Sequence, residues 1–138
     1  MQVIPYLSFD GRCEEAFKFY QQILGGKILM TMKYGDSPMA AQTPAEFQQK
    51  VMHTRMQVAD FVIMGSDSPA GLYVKPQGLQ VSLNLTEPTV AERVFAALSE
   101  KANTIVMPLG ETFWALRFGM LVDQFGIPWM VNCERPEK

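Results

Sequence analysis

The sequence predicts an α+β fold made of two β-α-β-β-β modules in tandem. Two stretches repeat apolar residues at helical spacing, while most of the other ordered stretches alternate with period two or form short β-prone runs. The order of these stretches recurs at an offset of about 76 or 77 residues. Between the copies lies SPAGLYVKPQG, a Pro- and Gly-rich segment that reads as a linker. Module one is therefore placed at 1–67, the linker at 68–78 and module two at 79–134, within a single domain spanning 1–138.

In module one, VIPYLSF at 3–9 is a β-prone run. A helix follows on the spacing of Cys13, Ala16, Phe17, Tyr20 and Leu24, with Asp10 as a candidate N-cap and Gly25-Gly26 as its stop. KILMTMK at 27–33 reads as a strand. The long connection that follows is expected to hold one helical turn near 44–49, with Asp36 bonding its own turn backbone. VMHTRMQV and FVIMGSD, split by Ala59-Asp60, form a hairpin over 51–67.

Module two repeats the pattern. LQVSLNLT at 79–86 alternates, and the next helix opens with Thr89 and Glu92 at capping-box spacing and carries Val90, Val94, Ala97 and Leu98 on one side. TIVMPLG, ALRFGMLVD and IPWMVNC supply three strands, the last two turned at 123–126, where Gly126 can take a positive φ. Each helix must cover the apolar face of its sheet. Parity then leaves Ile4, Tyr6 and Ser8 of the first strand, and Gln80, Ser82 and Asn84 of the fifth, to line a concavity that is polar but uncharged.

Composition narrows the function. With 48% hydrophobic and 19% charged residues the chain has an ordinary globular balance, enough to bury roughly two thirds of its unfolded surface. Lys and Arg total 12 against 14 Asp and Glu, so no basic field points to nucleic acid or an anionic membrane. The N-terminus does not read as a signal peptide, and no apolar run approaches the ~20 residues of a membrane span. A cytoplasmic protein with Cys13 and Cys133 reduced is expected. The single histidine excludes sites needing several imidazoles from one chain.

Several motifs then resemble a known superfamily. PYLSFDGRCEEAFKFY at 5–20, YGDSP at 34–38, VMHTRM at 51–56 and ETFWALRFGMLVDQFGIPWMVN at 111–132 look like the PhnB-like subfamily of the vicinal oxygen chelate superfamily. That group includes glyoxalase I, extradiol dioxygenases and bleomycin-resistance proteins. The resemblance implies the glyoxalase/bleomycin-resistance/dioxygenase fold, with curved sheets around a cavity, and a homodimer. In metal-dependent members it implies His or Glu ligands from the first and last strand of each module. Those positions fall at about Ile4, Met64, Gln80 and Met130, which offer a hard divalent ion almost nothing. No metal and no other cofactor is therefore expected, nor a reaction that needs the metal as Lewis acid. Related proteins can carry a methyltransferase-type name, yet no glycine-rich loop in a larger doubly wound sheet is present to support that chemistry.

The leading expectation is a protein that binds a small, partly aromatic molecule, with Tyr6, Asn84, Trp114, Arg117 and Met130 as ligand-binding candidates. The alternative is a lyase, an isomerase or a metalloenzyme with a rearranged site. Its catalytic candidates are His53 as base, Arg55 as anion clamp on the same strand face, and Glu111 at a charged entrance.

Overall fold

Helix α1, Cys13–Leu24, buries Cys13, Ala16, Phe17, Tyr20 and Ile23 along one stripe, the spacing that a helix lying on a sheet requires. In the computed structural model, which describes residues 1–136, it belongs to a first unit, Met1–Lys75, and the remainder forms a second, Pro76–Lys138. The division falls within the Pro- and Gly-rich segment.

Unit one contains β1 (Tyr6–Phe9), β2 (Lys27–Lys33), β3 (Val51–Val58) and β4 (Phe61–Asp67). They form one sheet in the order β1-β4-β3-β2, with β1 parallel to β4 and the other pairings antiparallel. Leu7, Phe9, Met56 and Ile63 are buried, and Phe9 meets Phe17 edge-on at 6.0 Å between ring centroids. Gly65 makes close packing possible, because a methyl group there would stand 2.7 Å from Phe17 Cε1. The α1 face of the sheet is thus fixed by Leu7, Phe9 and Gly65, and Tyr6 and Ser8 alternate onto the opposite face.

Unit two repeats the plan with β5 (Val81–Leu85), α2 (Pro88–Leu98), β6 (Thr104–Gly110), β7 (Ala115–Val122) and β8 (Pro128–Glu134). The strand order is β5-β8-β7-β6, with β5 parallel to β8. A methyl group on Gly119 would come within 2.7 Å of Phe95 Cε2, so α2 sits on the face that carries Gly119, Val131 and Leu83. Both units are therefore β-α-β-β-β modules, and the expected α+β architecture is the observed one.

Local details differ from the sequence reading. Asp10 does not cap α1: the N-cap position is Arg12, without a side-chain bond, and Asp67 at the end of β4 accepts from Cys13 N at 2.9 Å through Oδ1. Its Oδ2 accepts from Val51 N, also at 2.9 Å. A distant carboxylate outcompetes the local one because it is buried and serves one backbone donor at the start of α1 and another at the start of β3. Thr89 and Glu92 form no capping box either; Glu87 is the N-cap of α2, Pro88 takes the first helical position, and the buried stripe is Ala91, Val94, Phe95 and Leu98. In the connection 34–50 there are three short 3₁₀ turns rather than one, and Ser37, not Asp36, bonds the turn: its hydroxyl donates to Tyr34 O at 2.7 Å and accepts from Met39 N at 3.1 Å.

Cys13 and Cys133 are free and buried. Burial, reinforced by the nearby charges of Asp67 and Glu14, pushes the Cys13 thiol well above its ordinary range, which leaves it a packing group.

Candidate functional site

Each sheet has a face turned away from its helix, and both of these faces carry polar groups. On sheet two, strand register places Ser82, Met130, Met120 and Met107 in one row, and Asn84, Asn132 and Phe118 in the next row on that side. Asn84 Oδ1 accepts from Asn132 Nδ2 and from the Ser82 hydroxyl, each at 3.3 Å. Asn132 Oδ1 is buried without a donor. An amide carbonyl in that condition costs free energy unless something donates to it.

Aromatic surface adjoins this polar ladder. Phe118 meets the Trp114 ring edge-on at 5.2 Å, and Phe113 meets Trp114 at 4.9 Å. Trp114 is 43% exposed and Phe113 is 89% exposed, so the step from Asn132 through Phe118 to Trp114 runs from buried to open. Asn84, Trp114 and Met130, singled out from sequence, are therefore brought onto one side of one sheet. Asn132 and Phe118 were not singled out. Parity in VNC at 131–133 and the register of β8 beside β5 are the signals that find Asn132, because both asparagines alternate onto the same face.

Arg117 is placed elsewhere. It shares a row with Cys133, on the α2 side of sheet two, and its Nε donates to Glu92 of α2 at 2.9 Å. The register shift of β7 lies before it, between Ala115 and Arg117, so Arg117 alternates regularly with Gly119 onto the α2 side while Trp114 stands beyond the shift. Glu111 follows β6 and pairs with Arg135 rather than with Arg117. The Arg135 hydrogen bond and charge hold its carboxyl below the usual range.

Tyr6, His53 and Arg55 lie in unit one. Tyr6 is half exposed, and its Oη lies 3.2 Å from His53 Nδ1 with the two rings stacked at 5.8 Å between centroids. Register aligns Tyr6 with Met64, Met64 with Arg55 and Arg55 with Met30, so Arg55 shares the face of Tyr6. The side of sheet one opposite α1 is therefore not uncharged, in contrast to the first and fifth strands taken alone.

Of the positions where the superfamily resemblance would put metal ligands, Ile4 and Gln80 precede β1 and β5, while Met64 and Met130 lie in their strands. The residues present do not fit a hard divalent ion. Met64 has only a thioether and stands directly beside the Arg55 cation in the sheet register, which would repel a second positive charge. Among the described residues, no three His, Cys, Asp or Glu side chains gather where they could hold a metal. Nor does either mixed sheet supply the doubly wound architecture and glycine-rich loop that a small-molecule methyltransferase typically uses.

Comparison with known proteins places this geometry in a family. The family model described as 3-demethylubiquinone-9 3-methyltransferase matches residues 1–132. Protein YjdN of Escherichia coli K12 is 34% identical over 145 residues, covering 99% of this chain and 98% of that protein. The crystal structure of PA1353 from Pseudomonas aeruginosa is similar with a TM-score of 0.89 and 47% identity, covering 99% of each chain. A PhnB protein from Bacillus cereus, which carries the same methyltransferase description, shares the fold with a TM-score of 0.81 and 21% identity over 96% of this chain and 99% of its own. The chain belongs to the family of that description, and its fold is similar to that of a glyoxylase/bleomycin resistance protein/dioxygenase domain from Frankia, with a TM-score of 0.64 and 14% identity over 97% of this chain and 95% of that one.

Proposed function

We propose that this PhnB-like chain binds a small, partly aromatic molecule on the polar face of sheet two, without the divalent metal that serves other members of the superfamily. The observation that carries the reading is the Asn84–Asn132 ladder beside the Phe118–Trp114 step: one buried amide oxygen waiting for a donor, next to a half-open aromatic surface. A flat ligand with an N–H or O–H at its edge satisfies both, donating to Asn132 Oδ1 while its ring lies against Trp114. Met130 and Met120, whose side chains are unbranched and polarizable, supply adaptable apolar contact along the neighbouring row. Arg117 has no part in this reading, since Glu92 holds it on the other side of the sheet.

Thermal denaturation with a panel of aromatic metabolites and antibiotics tests the proposal. A ligand present at 100 times its dissociation constant stabilises the folded state by about 2.7 kcal/mol, which is visible as a raised melting temperature. At least one compound should give such a rise, and Trp114→Ala should weaken its binding by roughly 2- to 12-fold, given about 0.5–1.5 kcal/mol for a ring contact beyond its area. A uniformly silent panel, or a response that ignores both Trp114→Ala and Asn132→Ala, would remove the reading.

A further inference from the structure

The side of sheet one opposite α1 holds a cation that no described group of the chain neutralises. Arg12, Arg117 and Arg135 are each paired with a glutamate. Arg55 has no such partner among the described residues, and its Nε is shielded from solvent and has no acceptor. Its row across the sheet is Tyr6, Met64, Arg55 and Met30, and Ser8, Ser66, His53 and Met32 continue the same face one step along. None of these residues is acidic. A guanidinium N–H withdrawn from water without an acceptor is destabilising, and an anion brought in from outside reverses that cost.

The geometry says which anion. Nε and its neighbouring terminal nitrogen form the side edge of the guanidinium fork, whose spacing matches the two oxygens of a planar carboxylate. The methionines on either side of Arg55, Met64 and Met30, offer apolar contact to whatever the carboxylate is attached to. One step along, Tyr6 Oη engages His53 Nδ1, which leaves Nε2 as the imidazole nitrogen open to a ligand. We infer that Arg55, with the Tyr6–His53 pair, forms an anion subsite for the carboxylate of an organic monoacid whose apolar part lies along Met30 and Met64. The inference stands on sheet one and does not require the Asn84–Trp114 reading.

Calorimetric titration of the full chain with benzoate and cyclohexanecarboxylate, against benzamide and cyclohexanecarboxamide, tests it. Each acid should bind at least tenfold more tightly than its amide, and the Arg55 side-chain Nε–H resonance should move on titration. Arg55→Gln should bind acid and amide alike, and Arg55→Lys, which keeps the charge but not the fork, should fall between. Acid preference that survives Trp114→Ala would show the subsite working whatever the fate of the sheet-two proposal. Equal affinity for acids and amides, acid preference unchanged in Arg55→Gln, or no binding of either acid would each overturn the inference; binding of benzamide alone would do so while leaving an aromatic ligand in place. Should Arg55→Gln fail to fold by circular dichroism, the Nε–H response of the unaltered protein decides.

Discussion

Asp123 uses both carboxylate oxygens inside unit two. Oδ1 accepts from Phe125 N at 2.8 Å and Ile127 N at 3.0 Å, Oδ2 accepts from Trp129 Nε1 at 2.8 Å, and the residue is fully buried. One side chain thereby shapes the β7–β8 turn, where Gly126 has φ +90°, and fixes the indole of Trp129, the second residue of β8. Replacing it with alanine strands three donors at once. Since each unsatisfied buried donor costs about 1–3 kcal/mol, Asp123→Ala should lower stability by at least 3 kcal/mol in urea unfolding, or leave the chain unfolded. A loss under 1 kcal/mol would show that water replaces the carboxylate without strain. The sequence marked this turn through Gly126, but nothing local distinguishes Asp123 from any turn aspartate; its third bond, to Trp129, depends on where β8 begins.

At the level of elements, both helices rest on glycine. A methyl group would stand 2.7 Å from a helix ring at both Gly65, under Phe17, and Gly119, under Phe95, and at Gly119 it would also stand 3.0 Å from Leu109 Cα. Gly119→Ala should therefore cost about 1–3 kcal/mol, read as a lower unfolding midpoint. The same substitution at Gly71 has open space around it and serves as the comparison, with only the strain of its φ of +80° to bear. Gly119 has no positive φ, so a loss at Gly119 no larger than that at Gly71 would mean that the close approach to Phe95 and Leu109 costs little. Helices and strands were legible as elements because 3.6- and 2-residue periods are strong over 12 and 8 residues, although the run read as 3–9 is a strand only over Tyr6–Phe9. Caps were not legible: α1 takes its cap from Asp67, 54 positions away, and no local spacing encodes that.

For the whole chain, the repeated module and the family were visible in the sequence, through element order and through VMHTRM and ETFWALRFGMLVDQFGIPWMVN. The site was visible only in part. Asn84 could be placed by the parity of its strand, Met130 by the resemblance and Trp114 only as a motif residue, whereas Arg117, alternating with Gly119, faces α2 and Asn132 emerged only from the pairing of β5 with β8. β6 is the outer strand of its sheet and exposes Ile105, Val106 and Met107 in succession. Apolar groups on both sides of an unpaired edge favour association. We therefore propose that the chain forms a homodimer, which light scattering should report as twice the 15.5 kDa chain mass, and Val106→Lys should weaken it; a monomer at micromolar concentration would oppose the proposal.

The central claim is ligand binding without a metal. Its most direct test is the melting temperature of protein stripped with EDTA and dialysed, measured with the aromatic panel before and after adding Mn²⁺, Ni²⁺ or Zn²⁺. A ligand should stabilise the stripped protein as much as the metal-supplemented one, with the effect reduced in Asn132→Ala. Stabilisation that appears only when a divalent metal is restored would contradict the account.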